Sequence, residues 1–134
     1  MDILVIVGSV FVFLAAVIHI VIFFMESILW SKPAVWKRFG LKTQQEADIV
    51  RPMAFNQGFY NVFLAIGAGV GLVMLGSAQW SQGGIAIAIF ACASMVLAAL
   101  VLITSSPKLA RAAALQGVAP LVGIVFLLLS VLLP

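Results

Sequence analysis

Glu26 is the only acidic residue inside a hydrophobic stretch of this 134-residue chain, and the only histidine, His19, stands seven residues before it. Seven residues is almost two helical turns, so a helix carries both side chains on one face. A carboxyl group and an imidazole are the side chains best suited to exchanging protons, which makes Glu26 and His19 the acid–base candidates. An ionisable group at membrane depth is costly, and its presence there points to a functional site. A second polar set opens the next apolar stretch as Asn56-Gln57-Gly58-Phe59-Tyr60-Asn61. Positions 56, 57, 60 and 61 share one stripe of a helix by i, i+1, i+4, i+5 spacing. Asn56, Gln57, Tyr60, Asn61 and, in the last apolar stretch, Gln116 are therefore the candidate ligand-binding residues. No metal site is expected, because one His and one Glu fall short of the usual ligand set. A haem would have His19 as its lone protein ligand, and no phosphate loop, dinucleotide fingerprint or nucleophile-and-base set is present, so no cofactor is expected.

These residues must be positioned by membrane-spanning helices. Mean hydropathy is +1.29, with 65% hydrophobic and 8% charged residues, outside the range of a soluble domain. Four apolar stretches are long enough to span as helices, at about residues 3–30, 55–75, 84–103 and 112–133. Their runs are continuous rather than alternating, which excludes barrel strands. The expected fold is an all-α integral membrane protein over residues 1–134, a single antiparallel four-helix transmembrane bundle with an amphipathic cytoplasmic loop at 31–54. The first stretch is too long for a signal-peptide core and has Asp2 where a basic region would stand, so it is expected to be retained.

All seven Lys and Arg residues lie between the first two spans (Lys32, Lys37, Arg38, Lys42, Arg51) or between the last two (Lys108, Arg111). The positive-inside rule makes that side cytoplasmic and places both termini outside. Trp30 and Trp36 are then expected in the cytoplasmic interfacial belt and Trp80 in the outer one. The net charge of +3 reports topology and contact with anionic membrane lipid, not nucleic-acid binding. A single cysteine, Cys92, excludes a disulfide framework.

The loop at 31–54 is the one sizeable polar segment. Pro33 ends the first span, and Val35-Trp36-Lys37-Arg38-Phe39-Gly40 reads as an amphipathic piece lying on the membrane surface. Thr43-Gln44-Gln45-Glu46 matches a capping box, which predicts a short helix toward Arg51, separated from the second span by Pro52. The other links are short and imply antiparallel neighbours. With this orientation Glu26, His19, the amides, Tyr60 and Gln116 all fall in the cytoplasmic half, which predicts a polar pocket opening to that side. Register-setting hydrogen bonds between helices account equally well for any single amide, and a salt bridge to Lys32 or another loop cation is the alternative for Glu26. Gly67 with Gly71, and the Ala-rich third span, read as close helix packing, and Pro120 as a kink near Gln116.

His19 and Glu26, the Trp-containing basic loop, the Asn56-to-Asn61 string and Gln116-Gly117-Val118-Ala119-Pro120 together resemble domain-of-unknown-function family thirteen-oh-four, a family of small bacterial membrane proteins. The resemblance covers nearly the whole chain. It implies four transmembrane helices in a bacterial inner membrane and no assigned activity.

Three readings follow from the residues. In the first, the polar cluster binds, or performs acid–base chemistry on, a small amphipathic molecule whose apolar part lies among the helices. In the second, Glu26 is the shared proton and substrate site of a small proton-coupled transporter; the one-sided basic bias opposes an antiparallel dimer and leaves a parallel homodimer. In the third, the cluster only specifies folding or the loop docks a partner. Convergence of polar residues from four helices at one depth favours the first.

Overall fold

The computed structural model describes residues 2–133. Asp2 caps helix α1 (Ile3–Phe23) by accepting from the Leu4 N–H, and the chain then continues as a π turn over Phe24–Ile28. Pro33 begins the short helix α2 (Pro33–Trp36), which tightens into a 3-10 turn, Lys37–Phe39. Gly40 closes that turn at φ 85°, a left-handed conformation that costs glycine nothing. Helix α3 runs Gln44–Leu75 and α4 Ser81–Ser105; after a 3-10 turn at Pro107–Leu109, α5 runs Ala110–Leu132. Four helical segments, Ile3–Ile28, Gln44–Leu75, Ser81–Ser105 and Pro107–Leu132, are long and apolar enough to cross a membrane. The molecule is a four-helix, multi-pass membrane protein.

In the bundle α1 packs on α3 and α5, and α4 packs on the same two, with little contact across the α1–α4 diagonal. Lipid tails are as apolar as the helices, so close packing of small residues must hold the bundle together. The core is accordingly Ala15, Ala68, Ala88 and Ala91 around Met95, Cys92 and Leu127. Gly71 lies so near α4 that a Cβ there would come within 2.7 Å of the Ala88 nitrogen. Gly123 abuts Val12 and Gly8 abuts Leu127 in the same way, and these contacts set the register of α1 against α5.

Three features differ from what the sequence suggests. First, α3 runs unbroken through Pro52. Proline removes the N–H that would bond the Asp48 carbonyl, but Asp48 is exposed near the start of the helix, where solvent can satisfy that group. The predicted capping box is present, with Thr43 Oγ1 accepting from the Glu46 N–H at 3.2 Å and Glu46 Oε2 accepting from the Thr43 N–H at 3.3 Å. It starts the whole of α3, so the link between the first two spans is residues 29–43, with α2 and the 3-10 turn inside it, rather than 31–54. Secondly, Trp30 and Trp36 are 5% and 3% exposed rather than spread in an interfacial belt. They form a second small core with Ala47 and Ala54, fastened by the Trp30 Nε1–H donating to the Ala47 carbonyl at 2.9 Å. Trp80 at the opposite end is exposed. Thirdly, the π turn has no counterpart in the expected helix, and it carries Glu26.

Candidate functional site

Antiparallel topology brings the end of α1, the start of α3, the end of α4 and the start of α5 to one end of the bundle, together with all seven basic residues. Glu26 sits near this end and is only 7% exposed. The π turn reaches α3 where Gly58 leaves room: a Cβ at Gly58 would collide with Ser27 Oγ and lie 3.3 Å from Glu26 Cβ. Ser27 Oγ donates to the Phe55 carbonyl at 2.9 Å, clamping the turn to α3. One turn further along, Asn61 Nδ2 donates to Glu26 Oε2 at 2.9 Å and to the Gln57 carbonyl at 3.1 Å. The partner of Glu26 is thus an amide from the neighbouring helix and not Lys32. An amide donor leaves the carboxyl charge uncompensated, and Oε1 takes no protein hydrogen bond among the described residues, so that oxygen is free to accept from, or carry a proton toward, another molecule.

His19 is 1% exposed on the inner face of α1. Its Nδ1 lies 2.8 Å from the Ala15 carbonyl oxygen. A carbonyl only accepts, so Nδ1 holds a proton and Nε2 is the ring position left for acid–base exchange. The α1–α5 register pairs Gly8 with Leu127 and Val12 with Gly123. Stepping the same antiparallel register along both helices sets half-buried Gln116 level with His19. Seven residues along α1 are about 10 Å of helix rise, so the polar groups form two tiers, Glu26 with Asn61 and, deeper, His19 with Gln116.

The remaining candidates are not drawn into either tier. Asn56, Gln57 and Tyr60 have exposed side chains, and Tyr60 packs edge-on against Phe63. The hydroxyls of Thr104 and Ser105 return to carbonyls of their own helix. Ser27 and Gly58 belong to the site although sequence reasoning passed over them; the signal was a glycine inside a polar string, where a close approach was the reason for its smallness. Two apolar grooves open on the flanks of the bundle. One, about 410 Å³, lies between α1 and α3, lined by Phe13, Val17, Val21 and Phe24 on one side and Ala65 and Gly69 on the other. A smaller one of about 180 Å³ lies between α4 and α5 beside Ala99 and Gly117. Among the described residues no group of three or more His, Cys, Asp or Glu stands close enough to hold a metal ion.

Fold and site together define a small four-helix membrane protein with a buried carboxyl–amide pair joining its first two spanning segments, the π turn after α1 and helix α3. Residues 13–128 match the family described as a protein of unknown function (DUF1304), and the chain belongs to that family. No curated protein and no solved structure matches it.

Proposed function

We propose that the protein binds the polar part of a small amphipathic molecule at the Glu26–Asn61 pair, with the molecule's apolar part among the helices. The observation that supports this most directly is a buried carboxyl group held by one amide hydrogen bond and, among the described residues, by no cation. Such a group is expensive to keep in a membrane, and Asn61 with Ser27 and Gly58 holds it at a fixed place. In this reading Glu26 and His19 exchange protons with the bound molecule, Glu26 through Oε1 and His19 through Nε2. Gln116 steadies the inner tier, while Asn56, Gln57 and Tyr60 line the approach from the basic end. The one-sided distribution of Lys and Arg supports a cytoplasmic position for that end, with both termini outside, and the family resemblance implies the inner membrane of a bacterium.

Native mass spectrometry with lipid extraction on wild type and on Glu26→Gln tests the reading. Gln keeps the shape and an acceptor for Asn61 but loses the acid. The wild type is expected to hold a discrete small molecule that Glu26→Gln loses. An identical bound population in both proteins overturns the proposal.

A further inference from the structure

The groove between α1 and α3 has a length and a position along the bundle, with polar residues of α3 beyond one end, that together select an occupant. It extends from Phe13 on α1 to Phe24 at the start of the π turn. Eleven residues of helix rise about 16 Å, close to half of the ~30 Å hydrocarbon thickness of a bilayer. Because α1 and its π turn end at Ile28, this stretch covers the leaflet on the side of the basic residues and stops near mid-bilayer. Phe13, Val17, Val21 and Phe24 are exposed on its rim. At Gly69 on its floor nothing lies within 4 Å of where a Cβ would stand, so the space is open.

Gln57, Asn61, Ala65 and Gly69 are spaced by four along α3 and form one stripe. Beyond the apolar floor, toward the basic residues, the same stripe carries the Asn61 amide and then the exposed Gln57. Arg51 lies about two further turns along α3, and Lys32 follows the end of the π turn. Both are exposed.

We infer that this groove holds one acyl chain of an anionic phospholipid from the leaflet on the basic side, with its glycerol–ester region accepting from the exposed Gln57 amide and its phosphate toward Arg51 and Lys32. This rests on the reading of Glu26–Asn61 as a ligand site and names the class of ligand. A transmembrane helix would need a contact running the full thickness, whereas the groove covers half. A free fatty acid would bring its carboxylate against Glu26. All seven basic residues of the chain stand at the end where the headgroup would lie, which complements an anionic phosphate. Since exchanging one lipid neighbour for another brings no hydrophobic gain, the preference must come from groove shape and from these polar contacts.

The test uses the full chain in vesicles of phosphatidylcholine and phosphatidylglycerol in equal amounts, doped with chain-spin-labelled phosphatidylglycerol. Electron paramagnetic resonance reads the fraction of label held immobile by the protein. Gly69→Leu fills the open floor from α3, and Val17→Trp fills the groove from α1. Each is expected to weaken association of the label by about tenfold. Val101→Phe, on the exposed face of α4 away from both grooves, is expected to leave it unchanged. Labelled phosphatidylcholine is expected to be held less than labelled phosphatidylglycerol. Equal immobilisation of the two lipids, or an unchanged fraction in both groove-filling variants, overturns the inference. If that unchanged fraction accompanies loss of the co-purifying molecule in Glu26→Gln, the groove assignment alone falls. If Glu26→Gln also retains it, the site reading falls with it.

Discussion

Asn61 carries two amide N–H groups, and its nitrogen serves two acceptors, Glu26 Oε2 on the neighbouring helix and the Gln57 carbonyl on its own. The second bond aims the first, because it pins the side chain along α3 in the rotamer that faces the π turn. Hydrogen bonds between transmembrane helices average roughly 0.6 kcal/mol, but one whose loss strands a buried carboxyl group stands above that average. Asn61→Ala is therefore expected to cost about 1–2 kcal/mol, seen as a lower thermal midpoint in detergent by circular dichroism. A midpoint equal to wild type would show that Glu26 finds another partner at no cost. Glu26 and Asn61 were both recognisable from the sequence as polar residues in apolar surroundings. Their bond was not, since many pairings of His19, Glu26 and the amides fit the same helical faces.

At the scale of elements, the glycines of α3 divide by what lies opposite each. Gly71 faces backbone of α4, with the Ala88 nitrogen 2.7 Å from where a Cβ would stand, whereas Gly69 faces open groove. Gly71→Ala must push α3 from α4 and is expected to destabilise by about 1–3 kcal/mol. Gly69→Ala meets nothing and gains helix propensity, up to about 1 kcal/mol. Thermal unfolding of the two variants side by side checks the contrast; equal losses would mean that α3 and α4 pack less closely than these distances require. The spacing of Gly67 and Gly71 announced a packing face, and the Thr43–Glu46 capping box announced the start of a helix. The continuation of that helix through Pro52 was hidden, because the carbonyl that proline leaves free belongs to exposed Asp48. The π turn was hidden too, since nothing in the types of residues 24–28 marks one extra residue in a turn.

For the whole molecule, the distribution of charge is a statement about orientation. Cys92 is the only cysteine and is buried, so the wild type offers little background to a membrane-impermeant maleimide. Gln79 and Lys37 are exposed at opposite ends of the bundle. Gln79→Cys is expected to react in intact cells and Lys37→Cys only after lysis. The reverse pattern would place the Glu26 end of the bundle outside and remove the cytoplasmic half from the proposed function. Reaction of both in intact cells would point to dual orientation, as an antiparallel dimer requires.

Composition and apolar run length by themselves determined the class, the four spans and the end of the bundle that gathers the basic residues, because each of these depends on one segment at a time. Helical periodicity likewise predicted a common side for His19 and Glu26, and both are buried, although Glu26 lies in the π turn beyond α1. Periodicity is blind, however, to how one helix is rotated and slid against the next. That setting is decided by close approaches between residues far apart in the chain, such as Gly58 with Ser27, Gly71 with Ala88 and Gly123 with Val12. Only with those contacts made does Glu26 meet Asn61, 35 residues away, while Asn56, Gln57 and Tyr60 turn outward and Trp30 and Trp36 turn in.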